Sequence, residues 1–143
     1  MRQALVRRLA SEICGASAVE FALILPVFLL ILVGTLCYGL YFGAAHSVQQ
    51  LAAEAARATV PGLTPLERDR LARDSVAAAL PNYTLVDSTR IAVSVGAVPG
   101  NANLFDVAVT YDASNMPIWV FEGLLPLPPK TIERAAVVRR GGY

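Results

Sequence analysis

The hydrophobic pattern is dominated by one uninterrupted apolar stretch near the start of the chain. No charged residue and no histidine stands between Glu20 and His46. A helix over these 25 residues would span about 37 Å at about 1.5 Å per residue, and the hydrocarbon core of a bilayer is about 30 Å thick. The pattern predicts a membrane-spanning helix, because the rest of a 143-residue chain is too small to bury such a helix on every side.

Past His46 the helical period continues, and a second helix follows. Apolar and small residues recur at three- and four-residue spacing up to Thr59, and Val60-Pro61-Gly62 ends the pattern. We expect one stalk helix from about Ala16 to Thr59. Thr64-Pro65-Leu66-Glu67 is a capping box that starts a second helix, which we expect to end at Pro81. Its charged residues are expected to form a solvated face with local ion pairs: Glu67, Arg68, Asp69, Arg70, Arg73 and Asp74.

The remaining pattern has the period of two that is typical of strands. Alternation over 91–95 and 105–111, with turn residues at 98–103 between them, predicts a hairpin, and 132–139 reads as a third strand. Between the last two strands lies a short apolar, proline-bounded segment over 116–125. The predicted fold class is α+β: a long N-terminal transmembrane stalk helix, a second helix and a small antiparallel sheet.

Charge gives the predicted helix an orientation. Arg2, Arg7 and Arg8 precede the apolar stretch with only Glu12 opposing them, and the first flank after it, 47–56, carries no Lys or Arg. The positive-inside bias places the N-terminus in the cytoplasm and the C-terminal part outside. The full chain has a formal net charge of +1. A charge so close to zero excludes nucleic-acid binding through a strongly basic surface as its main function.

The start of the apolar stretch carries a recognisable motif. A short basic leader ends in Gly15, Glu20 stands at the fifth position after that glycine, and Phe21 opens the apolar helix. This resembles the class III signal of type IV prepilins. The sequence from Gly15 to Pro26 is similar to that of the TadE family, the pseudopilins of the tight-adherence (Tad/Flp) pilus apparatus.

The resemblance implies a processing reaction and a set of partners. A prepilin peptidase would cleave between Gly15 and Ala16, and the hydrophobic helix would stay attached as a single-pass anchor in the bacterial inner membrane. Partners would be that peptidase, other Tad pilins and pseudopilins, the inner-membrane assembly platform and the lipid bilayer. The implied divisions are a leader (1–15), a transmembrane and stalk helix (16–60) and a small extracytoplasmic domain (61–143).

Two other targeting signals compete with this interpretation. Cys14 is a poor lipoprotein site, because there the apolar run should precede the cysteine. Small residues at Gly43-Ala44-Ala45 would suit a secretory signal peptidase, but the uncharged run is longer than the 7–15 apolar residues that such signals usually have. The alternative function is therefore a single-pass membrane or secreted binding module unrelated to pili.

No catalytic, cofactor or metal motif stands out in the sequence, and we expect a structural role without enzymatic activity. Asp87, Asp106 and Asp112 suit turn or solvent positions better than calcium binding. The 116–125 segment concentrates bulky apolar side chains around Trp119 and Phe121. We expect the sheet to bury the segment; the alternative is that part of it forms a partner interface.

Overall fold

Two helices and three strands follow one another along the chain, in the order that the hydrophobic pattern predicts. The computed structural model describes residues 2–101 and 103–139, with side chains from Ser17 onward. Helix α1 is Arg2–Ala58 and helix α2 is Pro65–Ala79; strand β1 is Ile91–Ala97, β2 is Leu104–Asp112 and β3 is Thr131–Arg139. Short 3-10 turns occupy Leu80–Asn82, Ser88–Arg90 and Pro117–Phe121. The predicted α+β fold class is confirmed.

The three strands form one antiparallel sheet in the order β1-β2-β3. In the hairpin, Val93 pairs with Val109 and Val95 with Val107, while Tyr111 pairs across the other side with Ile132 on β3. Because side chains alternate between faces, this register gathers Val107, Val109, Tyr111 and Ile132 into the buried interior. The central strand β2 therefore contributes most of the buried sheet surface.

The chain divides into two compact units between Cys37 and Tyr38. The first is the beginning of α1. The second contains the rest of α1, α2 and the sheet. In the second unit the α1 residues that recur at helical spacing after His46 are buried: Val48, Leu51, Ala52, Ala55 and Ala56. The second unit thus has its own hydrophobic core, to which α1 contributes one face.

Helix α2 starts as its capping box predicts. The Glu67 backbone N–H donates to Thr64 Oγ1 at 3.2 Å, and the Leu63 backbone N–H donates to Glu67 Oε2 at 2.9 Å. Arg73 and Asp69 form the expected surface ion pair at 2.7 Å. Both side chains are exposed to solvent, and such surface pairs contribute little to stability, so the helix depends mainly on its cap and its buried face.

The expectation that all charged residues of α2 are solvated is wrong for Arg68. This side chain is only 5% exposed. Its Nε donates to the Gly62 carbonyl oxygen at 2.9 Å, and its guanidinium carbon lies 4.9 Å from the centroid of the Phe105 ring. Arg68 therefore ties the loop between α1 and α2 to β2, and the contact with the aromatic face offsets part of its desolvation.

Candidate functional site

The predicted processing residues Gly15 and Ala16 lie within the backbone of α1. The structure describes side chains only from Ser17 onward, so it says nothing of the surroundings of these two residues. Cleavage between them stays a prediction. The predicted motif residues Glu20 and Phe21 follow one turn later in the same helix, and both side chains are exposed.

The helix after this motif presents apolar side chains on its surface. Bulky residues on all sides of α1 are exposed in the first unit: Leu23, Ile24, Val27, Phe28, Ile31 and Leu36. Within the described residues, one helix, Ser17–Ala58, is long and apolar enough to cross a membrane, although an N-terminal signal sequence meets the same criteria. Exposed apolar side chains on all sides are the pattern that a lipid-facing helix requires, so the structure is compatible with a single-pass anchor.

Aromatic residues mark the start of the second unit. The Tyr38 hydroxyl donates to the Pro126 carbonyl oxygen at 2.6 Å, and its ring centroid lies 5.9 Å from that of Phe42, which is exposed. Tyr41, by contrast, is buried. Three aromatic residues close to the end of the apolar stretch, Tyr38, Tyr41 and Phe42, have the composition of an interfacial belt, but the Tyr41 ring belongs to the core of the second unit.

The proline-bounded segment between β2 and β3 is divided between core and surface. Ile118, in the Pro117–Phe121 turn, is 1% exposed, whereas Val120 is 83% exposed and Leu124 64%. The expectation that the whole segment is buried is wrong, because a 3-10 turn points consecutive side chains in different directions, so that Ile118 is buried while Val120 is exposed. We call residues 117–129 the proline-rich loop.

Trp119 and Phe121, the predicted interface residues, occupy an intermediate position. Both are half-buried. Trp119 Nε1 donates to the Ala113 carbonyl oxygen at 2.6 Å, and Lys130 Nζ lies 5.1 Å from the centroid of its ring while also pairing with Glu122 at 2.8 Å. Trp119 is thus held in one orientation, and Val120 and Leu124 present more apolar surface than either predicted residue. Whether Trp119 and Phe121 bind a partner stays a prediction.

Asp87 and Asp112 accept hydrogen bonds within turns, the first just before β1 and the second at the end of β2. Hydrogen bonds from the Thr89 hydroxyl and backbone N–H lower the pKa of Asp87, and hydrogen bonds from Ser114 lower the pKa of Asp112. Arg90 adds to both effects and donates from Nη1 to Asp112 Oδ2 at 3.0 Å. These are the turn roles expected for Asp87 and Asp112. Among the described side chains, in residues 17–101 and 103–139, no three potential ligands lie together in a way that could hold a metal ion.

These carboxylates predict a loss of stability in acid. Because the folded state lowers the pKa of Asp87 and Asp112 below the usual 3.8, they stabilise the fold above that pH, and the contribution is lost as pH falls through their folded-state pKa values. Thermal unfolding of the full chain in detergent should show a Tm that falls below about pH 4. The double variant Asp87→Asn/Asp112→Asn should flatten this fall; an unchanged slope would contradict the assignment.

The motif and the exposed apolar part of α1 lie in a segment that matches a known protein family. Residues 15–57 match the family model of TadE-like proteins. The match begins at the predicted processing glycine and ends one residue before the end of α1, which confirms the resemblance over the helix that carries the motif. The TadE-like segment does not include α2 or the sheet. Searches of curated proteins and of solved structures gave no match.

Sequence reasoning missed three features of the second unit. It did not identify Val120 and Leu124 as the exposed part of the proline-rich loop, the bond between Tyr38 and Pro126, or the burial of Arg68. The only available signal for the first was the cluster of prolines at 126, 128 and 129, which keeps the segment from adopting regular structure that would bury it.

Proposed function

We propose that this protein is a membrane-anchored pseudopilin, or minor pilin, that takes part in assembling a Tad-type pilus. The observation that supports the proposal most directly is that the TadE-like match over residues 15–57 falls on a helix whose apolar side chains are exposed. The match to TadE-like proteins suggests that this protein is involved in a Tad pilus system. The proposed role is structural, without a catalytic site or a cofactor, and it needs no nucleic acid.

The proposed precursor is cut by a prepilin peptidase between Gly15 and Ala16. Removing the leader leaves an ammonium group on Ala16, about one helical turn from the Glu20 carboxylate. An ion pair between these groups, within one subunit or between neighbours, would reduce the cost of holding a carboxylate at the edge of the bilayer. The partners proposed are the peptidase, other Tad pilins and pseudopilins, and the assembly platform of the bacterial inner membrane.

The mature N-terminus tests this proposal. The full chain is expressed with and without a prepilin peptidase, purified from membranes, and analysed by intact mass and N-terminal sequencing. We expect a product that begins at Ala16 only when the peptidase is present. A product that begins near His46 in both samples would instead identify a secretory signal, and the alternative of a secreted binding module would replace the pseudopilin.

Topology provides an independent prediction. The arginines before the span and the absence of Lys and Arg from residues 47–56 favour an N-inside, C-outside orientation. A reporter enzyme that folds only outside the cytoplasm, fused after Tyr143, should therefore be active. The matched control replaces Arg2, Arg7 and Arg8 with glutamate, which should lower that activity. Activity only from a cytoplasmic reporter would overturn the orientation.

A further inference from the structure

The proline-rich loop lies at one end of the second unit. Tyr38 is the first residue of that unit and directly follows the first unit, in which the bulky apolar side chains of α1 are exposed. The bond from its hydroxyl to the Pro126 carbonyl oxygen, at 2.6 Å, fixes the loop beside this residue. If α1 crosses a bilayer, as proposed above, Tyr38 belongs to the last part of the uncharged stretch 21–45, and the loop is bonded to this residue.

The loop exposes apolar side chains and carries no uncompensated charge. Val120 and Leu124 are exposed, and so is Phe42, which lies against the Tyr38 ring. Glu122 is the acidic residue of the loop, and it pairs with Lys130 at 2.8 Å. Lys130 also lies over the Trp119 ring. An aromatic ring with a neighbouring cation beside aliphatic side chains is the composition that interfacial membrane segments use.

We propose that the proline-rich loop is a second membrane contact, in which Val120 and Leu124 insert into the outer surface of the bilayer that α1 crosses. The two half-buried aromatic residues support this choice over a protein partner. Trp119 is already held by its bond to the Ala113 carbonyl oxygen. The bulky apolar side chains that the loop itself exposes, Val120 and Leu124, are aliphatic, whereas protein interfaces rely most on aromatic and arginine anchors. The loop would thereby fix the second unit against the membrane surface.

The single tryptophan of the chain makes this testable. Trp119 is the only tryptophan, so intrinsic fluorescence reports on the loop alone. The full chain is reconstituted into phosphatidylcholine–phosphatidylglycerol vesicles with or without bromine on the lipid acyl chains. We expect loss of Trp119 emission in the brominated vesicles and protection from aqueous iodide. An anchored protein whose emission is quenched by iodide and not by bromine would overturn the proposal.

Variants separate insertion of the loop from simple proximity to the bilayer. Val120→Asp/Leu124→Asp should lose the quenching by brominated lipid while still floating with the vesicles, because α1 is unchanged. The matched control is Leu63→Asp/Leu66→Asp: these residues are 84% and 81% exposed and follow the far end of α1, about 30 Å along the helix from Tyr38. The control should be quenched like the wild type.

The remaining outcomes are equally decisive. Equal quenching of wild type and Val120→Asp/Leu124→Asp would overturn the proposal, and Val120→Ser/Leu124→Ser repeats the comparison if the aspartates unfold the protein. Lipid-independent cross-linking between copies through Val120→Cys, with no bromine quenching of the wild type, would identify a protein interface instead. Failure to float would overturn the membrane span and the loop contact together, whereas the N-terminal analysis tests pseudopilin processing separately.

Discussion

We expect Gly15→Val to abolish cleavage of the precursor by a prepilin peptidase. Glycine has no side chain before the proposed scissile bond, and its backbone adopts conformations that a β-branched residue resists. Valine would therefore both fill the cleft that accepts residue 15 and restrict the local unwinding of α1 that a protease needs. Co-expression with the peptidase followed by intact-mass measurement should show the full-length chain only, against a wild-type product without residues 1–15.

A second glycine of the same helix supplies the matched control. A Cβ added at Gly39 meets no heavy atom within 4 Å, so Gly39→Val adds the same side chain to α1 at a position with open space around the Cβ. This variant should be processed like the wild type. Normal processing of Gly15→Val would contradict the proposed cleavage site, and a processing defect in both variants would mean that insertion or folding of the helix had been lost.

The helices and strands with a regular hydrophobic period could be predicted from the sequence, because the spacing of their apolar residues identifies the one face that is buried. Strand β2 alternates from Phe105 to Tyr111, and the structure buries Phe105, Val107, Val109 and Tyr111 on one side. In α1 the three- and four-residue spacing after His46 gives the buried face of the second unit. In both cases burial follows directly from the geometry of one element.

What could not be predicted depends on contacts between elements far apart in the chain. A charged residue in a helix is ordinarily solvated. Arg68 is buried because it bonds the Gly62 carbonyl and lies against the Phe105 ring, and only folding of the hairpin brings Phe105 to it. Tyr41 is similar: its position at the end of an apolar run suggests a membrane interface, but the second unit buries it. Neither residue carries a local signal of its partners.

The candidate site shows the same division. The motif of Gly15, Glu20 and Phe21 is local, so a family resemblance can identify it, and the match to residues 15–57 supports that resemblance. The surface of the proline-rich loop is not local. Ile118 and Val120 are two residues apart and both are aliphatic, and their opposite burial depends on which side of one 3-10 turn faces the interior of the second unit.

That difference leads to the second prediction of large effect, which concerns stability. Ile118→Ala should destabilise the second unit by about 2–5 kcal/mol, because it removes buried methylene and methyl groups and leaves a cavity. This is a large part of the ~5–15 kcal/mol that small domains have in total. Circular dichroism of the full chain in detergent should show a Tm lower by roughly 10 °C or more.

Val120→Ala is the matched control, since it truncates an aliphatic side chain in the same turn that is 83% exposed. Surface changes of this kind usually stay within about 0.5 kcal/mol, so its Tm in detergent should equal that of the wild type. Equal destabilisation by the two variants would mean that the turn is buried as a whole, and no effect of Ile118→Ala would mean that the loop is not packed on the sheet. A large fall in Tm for Ile118→Ala alone would mean that one buried side chain fixes the loop. A loop that is already fixed loses little conformational entropy when Val120 contacts another surface.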